Sequence, residues 1–301
     1  MNEASYMAHL RDLWNEAWPK KSPKELQYPQ GKQPLTEYLR QWAYSQPEKV
    51  AIHFYGHQLS YAQLHEQSTR FANFLISLGI KKGDRIAIYL PNCPQLHIAF
   101  YGILKCGTVY VPISPLSKEF ELRVQLTDST PKLIVCFDQL LPIVNAVQTG
   151  STLIHIISTS LSELKPDVAT IALPELFNYP KINVENAYDF YQALNQAATA
   201  NIEHCPELDD IAAINYTGGT TGQPKGCIHT HGDMLYTCAS YVPCALNANT
   251  ETIFLNFLPE FWIAGENAGL LFPIYSGATL VLLARWDVEA FMQATQHYRI
   301  T

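Results

Sequence analysis

The chain has 301 residues, 48% of them hydrophobic and 16% charged, enough apolar material to bury a sizeable core as one large domain or two smaller ones. A formal net charge of −7 argues against nucleic acid or an anionic membrane surface as the main partner. Seven cysteines without a C-x-x-C pair argue against a thiolate zinc site and suit the reduced, mostly buried thiols of a cytoplasmic protein.

Residues 1–34 read as an N-terminal extension. Glu3, Arg11, Asp12 and Glu16 interrupt the apolar centre that a signal peptide needs, while Trp14 and Trp18 mark either a short helix packed on the core, which is the expectation, or a partner-binding arm. From Val50 onward, short β-branched or aromatic runs alternate with longer helical patterns, as expected where crossover helices join parallel strands. The run from Val50 to Tyr55 predicts a strand, Gly56 a turn, and Ser60 with Gln63 a capping box opening a helix that ends at Gly79. Further strands are predicted from Arg85 to Leu90, Thr108 to Ile113, Lys132 to Phe137 and Thr152 to Ile157. The intervening helices follow Pro94 and cover Ser117 to Asp128 and Gln139 to Val147.

The rhythm breaks between Ser158 and Pro206, where a helix is predicted from Val184 to Ala198, and resumes with strands from Ile211 to Tyr216, Thr252 to Phe257 and Thr279 to Ala284. These patterns imply an α/β protein of layered subdomains with largely parallel sheets flanked by helices, the first over residues 35–180 and the second over 181–301. Pro273 and the Ser276-Gly277 pair divide the least charged stretch, so no transmembrane segment is expected.

The stretch YTGGTTGQPKG, Tyr216 to Gly226, follows directly on a predicted strand and holds four glycines, three threonines and one lysine. Open α/β sheets bind ligands at such strand ends. Glycines let successive amides turn inward to hold anionic oxygens, threonine hydroxyls add donors, and a lysine adds a mobile positive charge. Gln223 and Pro224 stand between the last loop glycine and Lys225, so the pattern differs from the common G-x-x-x-x-G-K-[ST] loop. Polyphosphate is the expected guest. His229 and His231 just beyond form too small a set for a metal site, and His231 is expected to hydrogen-bond locally at the start of the next helix.

The longer stretch YTGGTTGQPKGCIHTHGD resembles the phosphate-binding signature of the AMP-forming acyl-CoA synthetases within the adenylate-forming superfamily. Lys81 to Pro115 is similar to the first core block of that family, and Phe257 to Asp287 to its acyl-pocket block. The resemblance implies an ATP-dependent ligase that activates a fatty or other hydrophobic carboxylic acid as an acyl-adenylate, with Mg²⁺ accompanying ATP and coenzyme A as cosubstrate. It assigns Thr217, Gly218, Gly219, Thr220, Thr221, Gly222 and Lys225 to the triphosphate, and Phe261, Trp262 and Gly265 to the acid. No residue is assigned as a metal ligand or catalytic group. Trp262 takes the place of a family histidine and Ala264 that of a frequent tyrosine, so the choice of acid does not carry over.

The family's second nucleotide-binding segment, hinge and small C-terminal domain have no counterpart before Thr301, and the chain is expected to be the N-terminal portion of such a ligase. The alternatives are a noncatalytic ATP-binding or scaffold protein, and an adenylating enzyme serving a carrier protein. Replacing Thr220 and Thr221 together by Ala is expected to weaken ATP engagement in the complete enzyme far more than folding. Unchanged ATP kinetics at wild-type stability would remove these hydroxyls from the site.

Overall fold

The computed structural model describes residues 2–20, 23–182, 185–200, 202, 206–218 and 224–301. In chain order the first elements are α1 (Glu3–Ala17), α2 (Leu35–Ser45), β1 (Val50–Phe54), β2 (His57–Ser60), α3 (Tyr61–Ser77), β3 (Arg85–Tyr89), α4 (Pro94–Lys105), β4 (Val109–Pro112), α5 (Glu119–Ser129) and β5 (Leu133–Phe137). There follow α6 (Leu141–Gln148), β6 (His155–Thr159), β7 (Tyr188–Asp189), α7 (Phe190–Gln196), β8 (Ile211–Thr217), β9 (Lys225–Thr230), α8 (His231–Tyr241) and β10 (Ile253–Asn256). The last are α9 (Ile263–Gly265), a π-helical turn over Glu266–Leu271, α10 (Phe272–Ser276), β11 (Thr279–Leu282) and α11 (Val288–Tyr298).

The strands form a seven-stranded sheet in the order β7-β6-β5-β3-β4-β8-β9 and a four-stranded sheet in the order β10-β11-β1-β2. All pairings are parallel except the hairpins β1–β2 and β8–β9. Each sheet draws strands from both sides of residue 180: β8 joins the sheet begun by β3, and β1 pairs with β11. The sheets therefore interleave along the chain.

Alternation along the strands separates two apolar layers, as the two-residue repeat of extended chain requires. Ile86, Ile88, Leu133 and Val135 face one layer, which also takes in β1, β11, α3 and α4; Ala87, Tyr89, Ile134 and Cys136 face the other, beneath α5 and α6. All twelve residues of α4 are buried. Burial on every side marks an interior helix; its polar residues Gln95, His97 and Lys105 bond Ser160 O, Glu260 and His65 O, and α4 shares its apolar layer with strands of both sheets.

Several local expectations are met closely. Ser60 and Gln63 close a capping box on α3, and Pro94 opens α4 at a position where no backbone donor is needed. The β1–β2 turn places Tyr55 and Gly56 at φ of 56° and 117°, the positive pair that a tight two-residue hairpin demands.

Other elements differ from their sequence reading. β2 was not marked by an apolar run, because only Leu59 of its four residues is buried. The strand expected from Thr152 begins at His155, where its register with Leu133 starts. Tyr188 and Asp189 pair with β6, and Asp189 caps α7 by accepting from Gln192 N–H, so the helix expected from Val184 begins at Phe190. Val184 itself lies outside the described residues. α1 forms but buries none of its residues, and Trp14 is 67% exposed, stacking on Trp18. Tyr6, Leu10, Leu13 and Ala17 share one face of the helix with Met7 and Trp14, and Arg11, Asp12 and Glu16 lie off that face, yet none of these residues is buried. Of the described cysteines, Cys93, Cys136 and Cys238 are buried, Cys106 is half-buried, and Cys227 and Cys244 are exposed.

The four-stranded sheet is braced by Tyr61 at the start of α3, whose hydroxyl donates to Ala278 O, just before β11, at 2.6 Å in the interior. Tyr61→Phe is expected to lower unfolding free energy by about 1–2 kcal/mol, because a buried carbonyl loses its donor. Urea denaturation showing no loss would contradict that reading.

Candidate active site

β8 runs parallel to β4, returns as β9, and brings Thr217 opposite Lys225 at the open end of the hairpin. The Thr217 hydroxyl reaches Lys225 O at 3.5 Å, and the region where Gly218 lacks a side chain is open, with no heavy atom within 4 Å. Gly219, Thr220, Thr221 and Gly222 lie outside the described residues. Thr217, Gly218 and Lys225 are the members of the expected triphosphate set that are described, and all three are exposed. The hairpin is braced against α5 by Tyr216, whose hydroxyl donates to Asp128 Oδ2 at 2.5 Å. Burial, then Asp128, push the Tyr216 hydroxyl pKa well up.

Across the strand ends, Phe261 and Trp262 line the same cleft as Thr217 and Gly218, a space of about 200 Å³. Its remaining wall includes Phe120 and Val124 of α5. An apolar slot thus opens beside a hydroxyl- and ammonium-bearing hairpin end. Gly265 does not line this cleft; it is buried, and a side chain there would meet Pro259 O at 2.0 Å. Its part is to let the chain pass close beneath the turn that carries the two aromatics.

That turn is pinned from below. Asn92 Nδ2 donates to Leu258 O and Leu283 O, and Asn92 Oδ1 accepts from Glu260 N–H. The Glu260 carboxylate meets His97 Nε2 of α4 at 3.0 and 3.1 Å and accepts from Asn256 Nδ2 at 3.1 Å. The His97 and Glu260 side chains are 2% and 0% exposed. Gly269 makes room for this cluster, since a Cβ there would fall 1.9 Å from Glu260 Oε1.

A second buried carboxylate, Glu266, accepts from Asn215 Nδ2 of β8 at 2.5 Å. Burial pushes its carboxyl up to about 7, while the bond from Asn215 opposes that shift. Asn215 Oδ1 and the Tyr110 hydroxyl are buried without a hydrogen-bond partner among the described residues. His231 is buried at the start of α8; its backbone N–H donates to Asp210 O, but its ring Nε2 has no partner among them. That backbone bond reaches back to the segment before β8 and is not the local one expected of His231. Burial depresses its ring to about 4, so it stays neutral near pH 7. Among the described residues no group of three or more His, Cys, Asp or Glu side chains could hold a metal ion.

Residues 39–301 match the family model described as AMP-binding enzyme. The chain belongs to the AMP-binding enzyme family. It is 33% identical over 285 residues to a long-chain-fatty-acid–CoA ligase of Bacillus subtilis (strain 168), covering 91% of this chain and 50% of that protein. A solved long-chain-fatty-acid-CoA ligase from Archaeoglobus fulgidus has the same fold, with a TM-score of 0.78 at 20% identity over 95% of this chain and 53% of that one. A benzoate CoA ligase from Burkholderia xenovorans LB400 follows at TM-score 0.73 and 23% identity, over 88% and 48%. The chain spans about half the length of the curated relatives it matches.

Within this AMP-binding enzyme fold, sequence reasoning missed the supports of the site. Two glutamates inside the mostly apolar run from Phe257 to Leu271 were a legible signal. Their partners His97 and Asn215 lie in distant segments and carry no local mark. Phe120 and Val124 reach the cleft only through the placing of α5 beside β8.

His97→Leu is expected to cost roughly 3 kcal/mol, because it leaves the Glu260 carboxylate buried without its partner. A loss below about 1 kcal/mol in urea denaturation, the level of an exposed pair, would show that the pair is not needed. A Glu carboxyl ordinarily ionises near 4.5, so the folded protein holds the Glu266 proton more tightly than the unfolded chain and loses stability as pH rises through about 7. Between pH 5 and 8, Glu266→Gln should remove about 2 kcal/mol of that fall. Parallel stability profiles for the two proteins would contradict it.

Proposed function

We propose that this chain forms the acid- and phosphate-binding part of an ATP-dependent, AMP-forming carboxylate–CoA ligase acting on a fatty or other hydrophobic acid. The observation that carries the proposal is the sharing of one cleft by Phe261 and Trp262 with Thr217 and Gly218. The acid's apolar body lies against the aromatic wall and its carboxylate points toward the hairpin end. Attack of a carboxylate oxygen on the ATP α-phosphorus forms the acyl-adenylate and releases pyrophosphate; the coenzyme A thiol then displaces AMP and leaves a thioester.

Negative charge grows on the departing pyrophosphate, so donors fixed around it favour the transition state over bound ATP. Thr217, Gly218, Gly219, Thr220, Thr221, Gly222 and Lys225 are assigned that task. The hydroxyls, Gly218 with its open surroundings, and the Lys225 ammonium make a donor set fitted to a polyanion. Magnesium, bound together with the nucleotide, would neutralise phosphate charge. Phe261 and Trp262 are assigned to the acid, and Gly265 to the shape of the turn beneath them. The name of the Bacillus subtilis relative supports a fatty acid. A cytoplasmic setting is proposed with it, and the free thiols of the described cysteines support that.

The test is exchange of labelled pyrophosphate into ATP by the natural polypeptide bearing this sequence, with acids of graded chain length. Exchange should require a hydrophobic acid, and Trp262→Ala should shift the preferred length. Folded protein that binds ATP but exchanges with no short, long or aromatic acid would refute the proposal.

A further inference from the structure

The aromatic wall and the phosphate hairpin belong to separate stretches of chain, yet one buried hydrogen bond joins them, between residues 51 positions apart. Glu266 N–H donates to Trp262 O at 2.8 Å, so Glu266 begins the helical turn that continues directly from Trp262. On the other side, Asn215 lies two residues before Thr217 on β8 and is 6% exposed.

Stability of the fold does not call for this pair. Replacing buried polar partners by apolar residues of similar volume is often neutral or stabilising, and here the partnership is incomplete, since Asn215 Oδ1 and the neighbouring Tyr110 hydroxyl lack partners among the described residues. Glu266 also opens the π-helical turn Glu266–Leu271. Such turns carry an extra residue and are frequent at functional sites.

The geometry points to Glu266 as a positioning residue that, through Asn215, couples occupation of the apolar cleft to the grip of the hairpin end on nucleotide phosphates. The inference rests on the ligase reading above. Glu266 is 1% exposed and touches neither acid nor nucleotide. A shift of the Trp262 turn on acid binding reaches Asn215 directly, and Asn215 carries it along two residues of strand to Thr217. By reciprocity, nucleotide binding tightens the acid cleft by the same factor.

Calorimetry of ATP binding, with and without saturating decanoate, reads this coupling in the natural polypeptide bearing this sequence, with the magnesium complex of α,β-methylene-ATP standing for ATP throughout so that no acyl-adenylate forms. In the unsubstituted protein decanoate should strengthen ATP binding at least about fivefold. Glu266→Gln, which still accepts from Asn215 Nδ2, should keep that factor. The apolar exchange Asn215→Leu with Glu266→Met should reduce it to about one, each ligand alone binding within about twofold of the original.

A double variant that keeps the factor, a Gln variant that loses it, or an unsubstituted protein with a factor of one would each overturn the coupling. All three would leave acid-dependent pyrophosphate exchange, and so the ligase reading, standing. Failure to bind either ligand would end both. Should the double variant not fold, hydrogen exchange on the unsubstituted protein decides: decanoate alone should slow amide exchange at Tyr216 and Thr217 severalfold, and unchanged rates would overturn the proposal.

Discussion

The placing of the site depends on the confinement of α4. All twelve of its residues are buried in an apolar layer shared by strands of both sheets, and a close-packed interior leaves such a helix little freedom to shift. The polar groups it carries are therefore fixed in space. His97 on α4 and Asn92 just before it hold the turn from Leu258 to Glu260. From that turn the chain passes directly to Phe261 and Trp262. A rigid interior helix thus sets where the aromatic wall stands.

The hairpin side of the cleft is fixed by a different route. β8 is held by parallel pairing to β4 and by the Tyr216–Asp128 bond to α5. Its end falls at the carboxyl edge of the sheet, where open α/β folds place their ligands. β4 leads to α5, which supplies Phe120 and Val124, so one sheet edge gathers both the apolar wall and the hairpin. Two buried carboxylates lie below. Glu260 anchors the aromatic turn to α4, and Glu266 ties it to β8. Buried carboxylates are costly, and each is offset here by a specific donor.

The strand runs and the capping box at Ser60 were legible because each is local: two-residue alternation and short-range capping act within a few residues. The packing of both sheets around a buried α4 was not legible, because it depends on which strands pair. The four residues of β2 form a strand because β1 stands beside them. α1 shows the converse: its helical pattern was correct, but its docking required a facing surface that local sequence does not specify. Trp262 lines the cleft as the sequence pattern leads one to expect of a pocket residue, whereas the His97–Glu260 and Asn215–Glu266 pairs arise only when distant segments meet.

The central claim is that a carboxylic acid meets the nucleotide phosphates in the cleft between Trp262 and Thr217. The most direct measurement follows oxygen from an acid labelled with ¹⁸O in its carboxylate, incubated with ATP and coenzyme A in the presence of the natural polypeptide bearing this sequence. Attack on the α-phosphorus leaves one carboxylate oxygen on AMP after the thiol displaces it, so mass spectrometry should find a single ¹⁸O in the AMP phosphate. Turnover that forms ADP and phosphate, or AMP without label, would contradict the account.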